Sequence, residues 1–539
     1  MIGVIANQSD LAVVREFFQL FKTPWELWQT GKHYSIVLSA CPGAPLPDAD
    51  LIIAYGSDSC GPKDQLRRSD QPRPGSIVLR YRDTRFPVYL RLSTFEGQGK
   101  TVIVREDTNE VVGFETAGPN GKSVRIGYDL FREIRFLLSV GQPKEYAEIP
   151  TLEIHIAILR TLIVESGLPL AEIPPVPPGY EFILCLTHDV DFVGIRRHRL
   201  DRTVLGFIYR ATIVSLLRFV TGQLAFGGFL RNLLAVISLP MVYSGLLRDP
   251  FDQFEQYLRI EGDLKSTFFL VPYKHIDGLS PTGRKSKGRA TAYDVDDIRA
   301  EIAAILAKGC EIGLHGLDAW HDQVKAEEER EKLRQATGSY PTGLRIHWLF
   351  FSEGTPQVLE KAGFDYDSTC GYNDCLGFRA GTAQVFRPPE VERLLELPLH
   401  VQDTALFSSG RMDLTQEQGI QAIEEMVGKT RTTGGVLTVN WHMRSLGPER
   451  LWGDPYRYLL RLAENRDVWT AGGREVVAWF AQRRSAEFAE IDLERGRLRA
   501  TSPESRSLPG LVLKWYNRPG SDRSIVEYTP WSGSVEFAR

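Results

Sequence analysis

From Tyr180 to about residue 480 the chain repeats one pattern, a short apolar run followed by a segment of helical periodicity. That alternation limits the possible folds more than any other feature, because parallel strands need a crossover and a helix is the usual one. The runs EFILCL, STFFLV, EIGLH, GLRIHWL, LLELPL, GVLTVNW and DVWT read as strands. Between them, Asp249 and Pro250 open a helix carrying Phe251, Phe254 and Leu258, which ends near Gly262. Asp294, with Asp297 three positions on, starts another, in which Ile298, Ile302, Ile305 and Leu306 recur before Gly309 closes it. Thr355 and Pro356 begin a third that stops at Gly363, and further helices are expected over 415–430 and 472–483. About seven strands alternating with helices predict an α/β fold, a distorted (β/α) barrel.

A chain of 539 residues exceeds one ordinary core. Residues 1–148 mix strand-like and helical runs and predict a separate α/β N-terminal domain without a legible motif. A helix and the proline-rich segment EIPPVPPGY fill 149–179 and read as a linker. The barrel then occupies 180–485, and short alternating strands over 486–539 predict a small β appendage. Inside the barrel an apolar insertion spans 200–248, interrupted by Arg210, Arg218 and Arg231. Its longest uncharged run, 232–247, contains Pro240 and falls short of the roughly 20 residues a spanning helix needs. Buried or amphipathic helices are the first expectation, and contact with a membrane surface through 203–247 is the second.

Sixty-four basic against 68 acidic residues, a net charge of -4, predict no nucleic-acid partner. Cys41, Cys60, Cys185, Cys310, Cys370 and Cys375 are scattered without a CxxC pair, which suits reduced thiols rather than a disulfide framework or a structural zinc module. The start MIGVIANQSDLAVV has no basic segment ahead of an apolar core. A cytoplasmic location is the expectation, with a peripheral position at the inner membrane face as the alternative.

In a barrel of this kind the C-terminal strand ends carry the chemistry. THDVD, at 187–191, places Asp189 and Asp191 two positions apart and so on one face of an extended segment, with His188 on the other. Two like charges that close call for a cation or a positive side chain beside them. His315 follows EIGL, Arg345 and His347 lie in GLRIH, and His442 follows VLTVNW. Six of the ten histidines (188, 315, 321, 347, 400 and 442) fall at or just after strand ends of this region.

Taken in order, THDVD, STFFLV, EIGLHGLDAWH, RIHWL, LELPL and LTVNWH resemble the motifs of NodB-like polysaccharide deacetylases, carbohydrate esterase family 4, over roughly 180–480. The resemblance implies Asp189 as general base, Asp191 and His315 as metal ligands, Arg345 as the partner of Asp189 and His442 as general acid. It implies a divalent metal, zinc above all, and a carbohydrate substrate, an N-acetylated glycan or sugar conjugate, from which an acyl group is hydrolysed. Two alternatives accompany it: a noncatalytic glycan-binding barrel, and a deacylase acting on a lipid-linked sugar at the inner membrane face. Two departures mark this chain. Val190 separates the two aspartates, and Ala319 stands four after His315 where the family has its second histidine. His321 is six along, about 120 degrees away on a regular helix, so it reaches a metal only from an irregular loop. Asp318 is the rival third ligand. His347 stands where the family usually has proline, and Trp320, His347, Trp348 and Arg379 are candidates for substrate contact.

Overall fold

In a computed structural model the described residues are all but 42–47, 57–65, 69–75, 97–98, 118–120, 200, 503–506, 518–526, 532–533 and 538–539. Cys60 and Leu200, the first residue of the expected insertion, therefore lie outside them. The chain divides into two compact units, one of Met1–Gly179, Ala380–Pro389 and Ala478–Arg539, the other of Tyr180–Arg379 and Glu390–Val477.

The first unit is built on an eleven-stranded mixed sheet. Ile2–Ile5, Trp25–Leu27, Ile36–Ser39, Leu51–Tyr55 and Lys122–Ile126 run parallel, and the remaining strands are added antiparallel. Phe17, Phe131, Ile134 and Leu159 lie in the buried core. The C-terminal strands join this unit. Leu511–Tyr516 pairs antiparallel with Leu170–Glu172, a register linking residues more than 300 positions apart that local periodicity does not display. Arg483 is buried here and reaches the carbonyls of Gln19, Leu20 and Ile173 and the amide oxygen of Gln384.

The second unit holds a nine-stranded parallel sheet. Its order runs Leu395–Glu396, Tyr366–Asp367, Gly343–Ile346, Glu311–Gly316, Thr267–Leu270, Phe182–Val190, Val436–Asn440 and Val401–Gln402, with Val468–Thr470 paired to Phe182–Val190 beside Val436–Asn440. The strand count is thus nine rather than about seven. The difference comes from Tyr366–Asp367 and Val401–Gln402, two-residue strands too short to show a period in the sequence. The outermost strands, Leu395–Glu396 and Val401–Gln402, are not paired to each other among the described residues, so the hydrogen-bonded sheet is open. Fully buried apolar side chains fill both faces of Phe182–Val190, as expected of a central parallel strand.

The helix signals are mostly where the sequence puts them. Asp294 and Asp297 form a capping box, and Thr415 and Gln418 form another ahead of Gln416–Thr433. One boundary moves. Asp249 accepts the amide protons of Phe251 and Arg196, and the helix starts only at Phe254. The Asp249 side chain is thus spent on fastening the end of the insertion to its beginning.

Candidate active site

Because the sheet is parallel, all strand C-termini face one edge, and the polar side chains singled out in the sequence fall along it. Phe182–Val190 carries Asp189 inside the strand and Asp191 just beyond it. His188, pointing the other way, is enclosed: it donates from Nδ1 to the Trp441 carbonyl (2.7 Å) and meets Glu261 at Nε2 (2.8 Å). His400 is likewise buried, its Nδ1 accepting the Thr438 amide. These two histidines serve the core.

Asp189 is almost entirely buried, and each of its oxygens has a fixed donor. Arg345 Nη1 donates to Oδ1 (2.9 Å) and Asn440 Nδ2 to Oδ2 (2.7 Å), while the Asp189 amide donates to the Asn440 side-chain oxygen (3.0 Å). Burial pushes this carboxyl up, but Arg345, then His315 and His442, outweigh it and hold the group down at about 2. Arg345 is itself fixed by Thr187 Oγ1, by Ser368 through both carbonyl and hydroxyl, and by the ring of Phe269, 4.6 Å from its guanidinium carbon. Phe269 can lie there because its cross-strand neighbour is Gly313. A Cβ at that glycine would come within 2.6 Å of the ring.

His315 donates from Nδ1 to the Arg345 carbonyl (3.0 Å), which leaves Nε2 toward Asp189 Oδ2 at 3.8 Å. Burial lowers its pKa despite Asp189 and Asp191, so the ring is neutral and Nε2 presents a lone pair. His347 packs against it with ring centroids 4.7 Å apart. Its Nδ1 is buried without a hydrogen-bond partner among the described residues, and burial, followed by His315, Arg289 and His442, pushes its pKa well down. Buried Arg289 spans the carbonyls of Gly316, Leu317 and His347 and so ties the two loops together.

On the other side of Asp189 stands His442, positioned by a carboxylate that sequence reading passed over. Asp403 is fully buried. It accepts the His442 Nδ1 proton (2.6 Å) on one oxygen and, on the other, the His442 amide proton (2.7 Å) and the Ser445 hydroxyl. Burial works to lower the His442 pKa, but Asp403 first, then Asp191 and Asp189, hold it up at about 9. Asn440 was also missed. The signal was its place at the end of the strand Val436–Asn440, two residues before His442 and in register with Thr187, two before Asp189.

The expected metal donors do not gather. The one group of three His, Cys, Asp or Glu residues whose ligand atoms lie within 4.8 Å of one another, among the described residues, is His33, Asp50 and Glu494, exposed and in the first unit. His321 Nε2 is turned to Asp318 Oδ1 (3.3 Å), and that oxygen also accepts the Leu279 amide (2.7 Å). Glu329 pins the backbone between them and His315 by accepting the Leu317 and Asp318 amides (2.8 and 2.7 Å). His315, with one nitrogen fixed by a carbonyl and the other open, has the form of a metal ligand. Asp191, whose side chain has no hydrogen bond or ion pair among the described residues, has a carboxylate to offer. A third donor is not held beside them, so the set as it stands does not fit a closed tetrahedral site. In a chain carrying His33→Ala, zinc affinity measured by titration calorimetry is expected to fall roughly tenfold or more on His315→Ala and to stay unchanged on His321→Ala. A loss on His321→Ala would show that 317–321 rearranges around the ion.

The remaining candidates are spread along the rim. Trp320 is buried against His321 and Phe350, while Trp348, 42% exposed, sits in a left-handed turn with Leu349 (φ 66° and 54°). That backbone is strained for side-chain-bearing residues and turns the indole outward beside His347. Arg379 donates to the Gly371 carbonyl (2.9 Å) and shapes its own loop.

Over 57% of its length the chain is similar in structure to a Mycobacterium smegmatis protein assigned as a polysaccharide deacetylase, with 18% identity, a TM-score of 0.34 and 95% of that chain covered. A similar assignment from Pseudomonas aeruginosa PAO1 matches over 60% of this chain and 97% of its own, with 16% identity and a TM-score of 0.37. Puue allantoinase matches over 57% and 93%, with 15% identity and a TM-score of 0.32. No family model and no curated protein matches the sequence.

Proposed function

We propose that the second unit hydrolyses an N-acyl bond, removing acetyl or a related group from a glycan or sugar conjugate. One observation carries the reading. A buried carboxylate paired with Arg345 and Asn440 at the end of one strand, and a buried imidazole held by Asp403 just past the end of the adjacent strand, share the C-terminal edge of a parallel sheet. A fixed base and a fixed acid are what amide hydrolysis requires.

At neutral pH Asp189 is anionic and His442 carries its proton. Asp189 orients a water and takes its proton as oxygen attacks the acyl carbon. With so low a pKa it accepts that proton only while the new bond forms. His442 then gives its proton to the sugar nitrogen as the carbon–nitrogen bond breaks, leaving an amine and a carboxylic acid. Trp348 offers an aromatic face for a sugar ring, and His347 lies between it and His315. A divalent ion here would meet Asp191 and His315 and would polarise the acyl oxygen.

The test is amine release from N-acetylated chitooligosaccharides, with and without added zinc or cobalt. Asp189→Asn is expected to reduce turnover by about 100-fold or more while leaving the fold intact. Equal amine release by the parent chain and this variant would end the proposal. The ungathered donors favour a second reading, a glycan-binding unit without catalysis. Oligosaccharide binding with no amine released under any metal would select it.

A further inference from the structure

The insertion does not bury itself. It folds as Arg202–Tyr209, Arg210–Val214 and Ser215–Val220 in one continuous run, the middle part a π-helix, followed by Phe226–Ile237 and Leu239–Ser244. One stripe, Val204, Phe207, Ala211 and Ser215, faces inward, where Phe192, Ile195, Leu239, Val242 and Phe251 make a small core. The opposite faces are just as apolar. Fourteen of the twenty-one large apolar side chains exposed in the described residues lie between Leu205 and Leu247, among them Leu217, Val220 (73% exposed), Phe226, Ile237 and Leu246 (78%). Scattered exposed apolar residues are ordinary, but fourteen within one insertion mark a surface with an unfilled partner. The run Arg202–Val220 has a mean hydropathy of 1.5 over its window.

Charge identifies the partner. Between Arg202 and Arg248 the chain has no aspartate or glutamate and five arginines, in a protein whose net charge is -4. Arg210 pairs with Glu449, Arg218 with Asp413, and Arg248 with Glu255 and Asp252. An apolar face whose helices carry arginine and no acidic side chain, with Arg202 and Arg231 left without an ion-pair partner among the described residues, complements an anionic lipid surface, into which leucine and phenylalanine sink while guanidinium groups meet phosphate.

Placement gives the surface a purpose. The first insertion helix starts eleven residues after Asp191, and the insertion is fastened to the loop after His442: Arg444 lies over Phe192 and Phe251, Arg210 pairs with Glu449, and Asn232 accepts the Glu449 amide. The apolar face therefore belongs to the same end of the sheet as Asp189 and His442.

We propose that residues 202–247 dock the second unit on an anionic phospholipid bilayer, presenting the strand-end site to molecules held at that surface. The inference rests on the insertion alone, not on hydrolysis. Full-length protein floated through a density gradient with phosphatidylcholine vesicles containing phosphatidylglycerol should rise with the lipid. With phosphatidylcholine alone, or at high salt, most should stay below. The exposed substitutions Leu217→Ser, Ile237→Ser and Leu246→Ser together should cut the floated fraction roughly tenfold, with an unchanged thermal melt. Arg202→Ser with Arg231→Ser should remove the preference for the anionic vesicles. A parent chain that does not float with anionic vesicles, or a triple variant that floats equally well, overturns the proposal. So does a parent dimer that the triple variant converts to monomer, since a second copy would then cover the face. Amine release from soluble oligosaccharides, assayed without vesicles, tests the hydrolase reading separately.

Discussion

Asp403→Asn is expected to lower kcat/KM for amine release by about 100-fold or more and to move the alkaline limb of its pH profile from about 9 toward or below the ordinary histidine value of about 6.5. Asp403 is the leading cause that holds His442 protonated, and it does so while accepting from the ring nitrogen, the backbone amide and Ser445. An amide at this position keeps the shape, removes the charge and leaves burial to push the imidazole down. The sign is definite. A histidine whose folded pKa is raised contributes stability that is complete below about 6.5 and lost as pH rises through about 9, so Asp403→Asn should also flatten the stability profile in that window. A variant with reduced activity but an unmoved alkaline limb would mean that some other group delivers the proton.

Arg345→Met should produce the largest loss of stability, about 3–5 kcal/mol, because it strands the Asp189 carboxylate inside the sheet without its main counter-charge. In the parent chain the Asp189 contribution is present above the unfolded carboxyl pKa and disappears as pH falls through about 2. In the variant the order reverses. Burial is left less opposed, the folded pKa rises above the unfolded one, and the protein should regain stability as the solution is acidified toward about pH 4. Adding Asp189→Asn should recover most of the loss, since the pair is then removed rather than broken. Thermal melts across pH check all three statements, and a double variant no more stable than Arg345→Met alone would show that Arg345 matters for packing and not for the charge it meets.

Much of this was readable before any fold was known, and the reason is local. Period-two and period-3.6 patterns, the cap at Asp294, and the pair Asp189 and Asp191 at the end of an apolar run are properties of a few consecutive residues. They place strands, helices and strand-end side chains in order. They do not say which distant segments share a neighbour. Asp403 was overlooked because nothing around it in the sequence marks a charge, and only the parallel pairing of Val401–Gln402 with Val439 and Asn440 sets it under His442. His321 went the other way. As the next histidine after His315 it was a candidate ligand despite a spacing that needs an irregular loop, whereas its Nε2 is turned to Asp318, whose backbone and side chain are held by Glu329 and the Leu279 amide.

The sequence by itself determined the alternating elements, the two aspartates on one face and the apolar composition of 202–247, because these follow from side-chain period and transfer free energy. Tertiary structure decided three further things. It tied the C-terminal strands to the first unit, chose which histidines face Asp189 and which are enclosed, and left one side of the insertion open. Each depends on hydrogen bonds and burial between residues far apart in the chain, and those are fixed only when the sheet is assembled.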